Sequence, residues 1–179
     1  MPRIARLAIL ALLPLALCPG AHAQADACQD QLPQSLVDAL ARAYRAYRAP
    51  LEFDNAPEDI AQSRARGGSG CLGVGVGDFT GAGKKEYLIG LTARHGGGGL
   101  AVLAIPRKGG WRWQKLQTWP EGTRALHFVE ALPPGHYNGD AAAVLECAKD
   151  VVRLGALDGS GSLRCDTGGG WTSVAQAGR

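Results

Sequence analysis

The chain has 179 residues, a formal net charge of +3 and 46% apolar residues. That apolar share is enough for a packed core and too high for a disordered segment. The near balance of 19 basic against 16 acidic residues excludes a strongly basic nucleic-acid-binding domain, and the sequence shows no basic run interleaved with aromatics.

Residues 1–23 read as a secretory signal peptide. Arg3 and Arg6 make the basic start, and residues 4–17 are an apolar run too short to span a bilayer. Ala21-His22-Ala23 is a small-x-small cleavage site, so the mature chain is expected to start at Gln24. Cys18 invites a lipid anchor, but Leu17 stands before it where a small residue is needed, and cleavage after Ala23 removes it. The mature chain then has 156 residues, which is 179 less 23, with 17 basic against 16 acidic. That suits one monomeric domain, periplasmic or secreted. No second long apolar run follows, so no membrane span is expected in the mature chain.

The same cut leaves four cysteines, Cys28, Cys71, Cys147 and Cys165. An even set in an exported chain suggests disulfides, with three connectivities open. The favoured one is Cys28–Cys71 with Cys147–Cys165. The second pair would join neighbouring strands, and the first would tie an N-terminal helical part to a sheet. A zinc site is disfavoured, because no CxxC or clustered histidine spacing exists.

Residues 35–48 are expected to be helical. Ser35 is a candidate N-cap with Asp38 three residues on. Leu36, Val37, Leu40, Ala41, Tyr44 and Tyr47 lie along one stripe. Arg42, Arg45 and Arg48 sit between them, as a solvated face in preference to an anion-binding one. A second helix is expected from Pro57 to Arg66, with Gly67 as its stop. Residues 67–70 then join a helical segment (24–70) to a sheet-forming remainder (71–179), packed together as one domain.

Residues 72–94 read as strand, tight turn, strand. Val74, Val76 and Asp78 alternate with Gly73, Gly75 and Gly77. A strand with three glycines on one face must have something packed closely over its backbone. The second arm, Glu86 to Thr92, is nearly continuously apolar, as expected of a strand covered on both faces. The turn, Asp78-Phe79-Thr80-Gly81-Ala82-Gly83-Lys84-Lys85-Glu86, resembles the cation loop of FG-GAP/VCBS-like repeats, the blade motif of integrin-type propellers. The resemblance implies oxygen ligands from Asp78, Thr80, the Lys84 carbonyl and Glu86. Ala82 brings no side-chain oxygen and Lys84 brings a positive charge. The expected occupant is therefore a weak Ca2+, with an affinity of about 0.1–1 mM, or none, with a plain hairpin turn preferred.

Further strands are expected over 100–106, 111–118, 125–130, 141–148, 150–157, 162–166 and 171–175. Their turn-rich separators include 133–140. Connections this short make the sheet mostly antiparallel. Trp111 and Trp113 after Gly109-Gly110 echo Trp171 after Gly168-Gly169-Gly170, a repeat of roughly 60 residues. The expected fold is mainly β with an N-terminal helix (α+β), an antiparallel hairpin meander. It would form an incomplete propeller-like pair of sheets or one curved sheet. The end of the chain resembles the strand ends of exported propeller-like bacterial proteins.

Catalytic motifs largely fail. GDFTGAGKK lacks the placed glycine and the Ser/Thr of a phosphate loop, and GVGVGD lacks the last glycine of GxGxxG. His95-Gly96-Gly97-Gly98-Gly99 resembles an esterase oxyanion strand, yet no GxSxG exists to serve it. Asp158, Ser160, Ser162 and Asp166 form a second oxygen-rich spacing that suggests a turn more than a cation site. The expected function is a non-enzymatic exported protein that binds another protein in the cell envelope. Its contact loops would carry Arg94, His95, His136, Tyr137, Asn138 and Asp140, with Tyr137 a good anchor type. The alternatives are an envelope hydrolase using His127 or His136 with a nearby carboxylate, such as Glu130 or Asp140 for His127, or an inhibitor or immunity protein against an envelope-directed toxin.

Overall fold

The computed structural model describes residues 26–178. The signal peptide expected over 1–23, with Cys18, lies outside them. Among the described residues the architecture is mainly β, with two antiparallel sheets, one strand hairpin and two α-helices.

Sheet one holds β1 (Tyr47–Arg48), β2 (Val74–Gly77), β3 (Glu86–Ala93), β4 (Gly99–Arg107) and β5 (Gly110–Trp119). Its order is β1–β3–β4–β5, and β2 lies beside β1 on the same edge of β3. Sheet two runs β11–β10–β9–β6, from β6 (His127–Leu132), β9 (Val151–Ala156), β10 (Gly161–Asp166) and β11 (Trp171–Gln176). Between β6 and β9 the chain makes a separate hairpin, β7 (Gly135–Asn138) with β8 (Val144–Cys147).

Alternation sorts the side chains into layers. On β3 and β4, Tyr87, Ile89, Leu91, Leu100, Val102 and Ala104 face helix α1 (Gln34–Ala43), meeting Leu36 and Leu40. The alternate residues Leu88, Ala101, Leu103 and Ile105 meet Val129, Val152 and Leu154 of sheet two. The outer face of sheet two, with Val151, Leu163 and Cys165, is covered by Leu145 and Cys147 of the hairpin. The order of layers is thus helix, sheet one, sheet two, hairpin. Strand β3 is buried on both faces, which is why its sequence is almost unbroken in apolar residues. Each fully buried Leu, Ile or Val contributes about 1.5–3 kcal/mol of hydrophobic stabilisation.

Both favoured disulfides form. Cys28–Cys71 has a Cα separation of 4.9 Å and Cys147–Cys165 one of 6.0 Å. The first ties the segment before α1 to the lead into β2. The second fastens the hairpin to β10.

The glycine face of β2 meets backbone and side chains at close range. A Cβ on Gly75 would stand 2.8 Å from the Ala131 amide nitrogen, and one on Gly73 would stand 2.4 Å from the Pro50 Cβ. The Val129 amide donates to the Leu72 carbonyl at 3.1 Å, so β6 crosses β2 at contact distance. Only glycine permits this approach.

Three expectations need correction. Helix α1 begins at Gln34, its N-cap position is Pro33, and no side chain caps it. Ser35 is therefore inside the helix, and Asp38 accepts from the Gln34 amide at 2.9 Å. The helix also stops at Ala43, because Tyr47 and Arg48 pair with Ala93 and Thr92 as β1. The unpaired edge of β3 offers partners that outweigh helix propensity. Residues 133–140 are not a loop, since Gly135–Asn138 is β7. Helix α2 (Pro57–Ala65) ends as expected, with Gly67 at φ 83°.

Candidate protein-binding groove

A groove of about 770 Å³ opens where α2, β2, β6 and β9 converge. Leu72, Val74, Val76, Phe128 and Ala131 give it an apolar wall. Asp59 and Arg66 of the α2 side and Glu130 and Arg153 of sheet two give it charge of both signs. Arg153 donates to Glu130 at 3.1 Å and its guanidinium lies 5.2 Å from the centre of the Phe128 ring. Gly155 leaves the room for that ring, because a Cβ there would stand 2.2 Å from Phe128 Cζ.

Two large apolar side chains line the groove in solvent, and two more are exposed on segments bonded to sheet two. Val76 and Leu157 line it at 37% and 38% exposure. Leu126 is 54% exposed, and the Leu157 amide donates to its carbonyl at 3.0 Å. Phe53 is 72% exposed. It stands two residues before Asn55, whose amide donates to the carbonyls of Ala125 at 3.4 Å and His127 at 3.1 Å. Four exposed apolar groups thus belong to segments knitted together by hydrogen bonds.

A buried polar pin holds these segments. Arg124 is only 2% exposed and donates to the carbonyls of His127 and Gly90, both at 2.9 Å. Gly73, Gly90 and Gly99 clear its space, each lying too close to the Arg124 side chain to bear a Cβ at ease. Its guanidinium lies 5.6 Å from the centre of the Trp119 ring, on which His127 stacks at 5.1 Å. Burial lowers the Arg124 pKa to about 10, Asp54 opposing that fall and Arg48 adding to it. Asp54 accepts from Arg48, the Leu51 amide at 2.8 Å and the Thr92 hydroxyl at 2.9 Å. Burial pushes its carboxyl up, yet these donors together hold it below the usual value.

The residues singled out in the sequence are not gathered at this groove. Arg94 and His95 are exposed in the β3–β4 turn, which packs on residues 120–124 through bonds from Gly122 and Arg124 amides to the carbonyls of Gly96 and Gly97. His136 and Asn138 point outward from β7, and His136 Nε2 is 4.0 Å from exposed Glu146. Tyr137 is turned inward instead, packing with Leu132, Leu145 and Val174, and its hydroxyl donates to the Pro133 carbonyl. Burial first, then the nearby Asp150 carboxylate, raises its pKa. Asp140 accepts from the Ala177 amide at 2.7 Å, beside Ala141 and Ala142, which hold φ of 52° and 61°.

His127 and Glu130 do not meet. His127 Nδ1 lies 2.6 Å from the Thr123 carbonyl, and Glu130 projects from the opposite face of β6 to bond Arg153. Asp158 lies in the turn before β10 and Asp166 at the far end of that strand, which is about 16 Å long. Asp158 is held below its usual pKa by the Ser160 side chain and amide.

The 78–86 turn closes on itself. Both oxygens of fully buried Glu86 accept from Thr80, one from its hydroxyl and one from its amide at 2.9 Å. The Gly83 amide donates to Asp78 Oδ2 at 2.9 Å, and the Asp78 amide donates to Asp150 Oδ2 at 2.7 Å. The aliphatic stem of Lys149 covers Gly81, while its ammonium pairs with Asp166 at 3.2 Å. Asp78 Oδ1 is buried without a hydrogen-bond partner, whereas both Glu86 oxygens are engaged by Thr80. Among the described residues no cluster of three His, Cys, Asp or Glu is placed to hold a metal.

The groove residues were not found from the sequence. Phe128, Leu157 and Val76 look like ordinary strand residues there, and only the convergence of four distant segments exposes them together.

Comparison with protein-family models, curated proteins and solved structures returned no match.

Proposed function

We propose that the protein works outside the cytoplasm by binding another protein across the α2–β2–β6–β9 groove. The observation that carries this reading is that exposed Val76 and Leu157 line a groove with charges of both signs, with exposed Leu126 bonded through its carbonyl to the Leu157 amide. Apolar groups gathered around a cleft mark interaction sites more often than scattered ones do. Charged neighbours such as Glu130 and Arg153 would set orientation and partner choice. The two disulfides are compatible with an oxidising compartment. Inhibition of an envelope-directed toxin is one form such binding takes. The likeness of Trp111 and Trp171, each following a glycine turn, supports a propeller-like kinship of the two sheets as part of the same proposal. The 78–86 turn is read as a structural hairpin, supported by the Thr80–Glu86 closure.

The test is site-specific photo-crosslinking in producing cells. A photoreactive residue at Leu157 should give one discrete protein adduct, and one at exposed Thr118 of β5 should not. Leu126→Glu should abolish the adduct, whereas His136→Ala should leave it. Absence of an adduct from folded, oxidised protein sinks the proposal.

A further inference from the structure

A second cleft, sharing no residue with the groove, lies between α1 and the tip of the β4–β5 hairpin. It is open to solvent, with a volume of about 730 Å³. On the helix side Ser35, Ala39 and Ala43 recur every four residues, so one stripe of small side chains keeps it open. On the sheet side stand Trp111 and Trp113, two apart on β5 and therefore on one face. Both indoles are fixed from behind. Trp111 meets Tyr87 edge-to-face at 5.7 Å, and Trp113 meets Tyr44 in the same way at 5.6 Å.

The charges here are of one sign. Arg42 and Arg107 line the cleft and no carboxylate does. Both are exposed, and neither takes part in an ion pair among the described residues. The nearby Asp38 accepts from Gln34. Two guanidinium forks outside any ion pair, beside two half-buried indoles each packed edge-to-face on a tyrosine, suit a ligand with carboxylates to bridge the forks and flat apolar faces to lie on the rings.

We propose that this cleft binds an acidic sugar chain, a glycan bearing carboxylate groups. Each sugar ring offers an apolar face to an indole, and each carboxylate offers two oxygens to a guanidinium. Linear sequence hides the site, because Arg42 comes from the helix and Arg107 from a hairpin some sixty residues later.

The test is tryptophan fluorescence and calorimetric titration of the oxidised mature protein with tetragalacturonate at low salt. Neutral maltotetraose and hexaglutamate serve as comparators. Saturable binding of tetragalacturonate is expected, at least tenfold tighter than either comparator. The Arg42→Gln/Arg107→Gln double variant should lose at least tenfold in affinity while keeping its melting temperature, since both residues are exposed. Ala39→Phe, which fills the cleft, should abolish binding. Three results would each overturn the proposal. They are no saturable binding up to about 10 mM, equal affinity in the double variant, or hexaglutamate binding as tightly as the sugar.

Discussion

Replacing Arg124 tests whether a buried guanidinium stabilises this fold or burdens it. Its two hydrogen bonds run to the carbonyls of Gly90 and His127 at 2.9 Å. Bonds from a charged donor contribute about 1.5–3 kcal/mol each, so roughly 3–6 kcal/mol opposes removal. Against this stands the burial of the charge. A pKa lowered by burial to about 10 from the usual arginine value corresponds to roughly 3 kcal/mol against the protonated form. Arg124→Met keeps much of the packing, loses both bonds and removes the charge, so a net loss of about 2 kcal/mol is expected. Arg124→Ala also empties the space cleared by Gly73, Gly90 and Gly99, which adds about 2 kcal/mol. Thermal melts followed by near-ultraviolet circular dichroism read the difference. At about 2–4 °C per kcal/mol, the Met variant should fall by about 6 °C and the Ala variant by about 12 °C. A Met variant as stable as the native protein would show that charge burial cancels the bonds and would refute the pin.

The other predictions address single contacts. Gly75→Ala should cost about 1–3 kcal/mol in urea unfolding, because its Cβ would meet the Ala131 amide nitrogen at 2.8 Å. A neutral result would mean that β6 is free to move off β2. Loss of the Cys147–Cys165 bridge by a double Ser substitution should cost about 3 kcal/mol for its separation of 18 residues. A full-sized midpoint in that variant would place the stabilisation elsewhere. Asp54 has a depressed pKa in the fold, so its contribution is present above the unfolded value of about 3.8 and lost as pH falls through the lower, folded one. Acid titration of Asp54→Asn should therefore lack a destabilisation below about pH 4 that the native protein shows. Calcium, compared with chelator, should leave the melting temperature unchanged, and a calcium-dependent rise would reinstate a working site at the 78–86 turn.

Most of the fold could be read from the sequence because its signals are local. The continuous apolar run of β3 and the glycine turns between hairpins identified nearly every strand. Cysteine parity and spacing led to the disulfides that form. Failures came where a long-range partner overrode a local signal. Tyr47 belongs to a good helical stripe, but it pairs with Ala93. His136, Tyr137 and Asn138 are polar and follow two prolines, so nothing local says strand. Their pairing with Val144–Glu146 depends on Tyr137 reaching Leu145 beneath the disulfide.

The candidate sites were scarcely legible, and the reason is physical. The 78–86 turn and the histidines were singled out because their chemistry lies within a few consecutive residues. In the fold that chemistry is spent internally: Thr80 closes on Glu86 and His127 on Thr123. The groove and the second cleft have the opposite character. Each is assembled from residues that look like routine strand, helix or turn positions. Their availability rests on what three-dimensional packing leaves unpaired: Leu126 and Leu157 in solvent, Arg42 and Arg107 without carboxylates. A side chain's freedom to act on a partner is a property of its unmade contacts. Unmade contacts have no spacing in sequence, whereas the satisfied turn does.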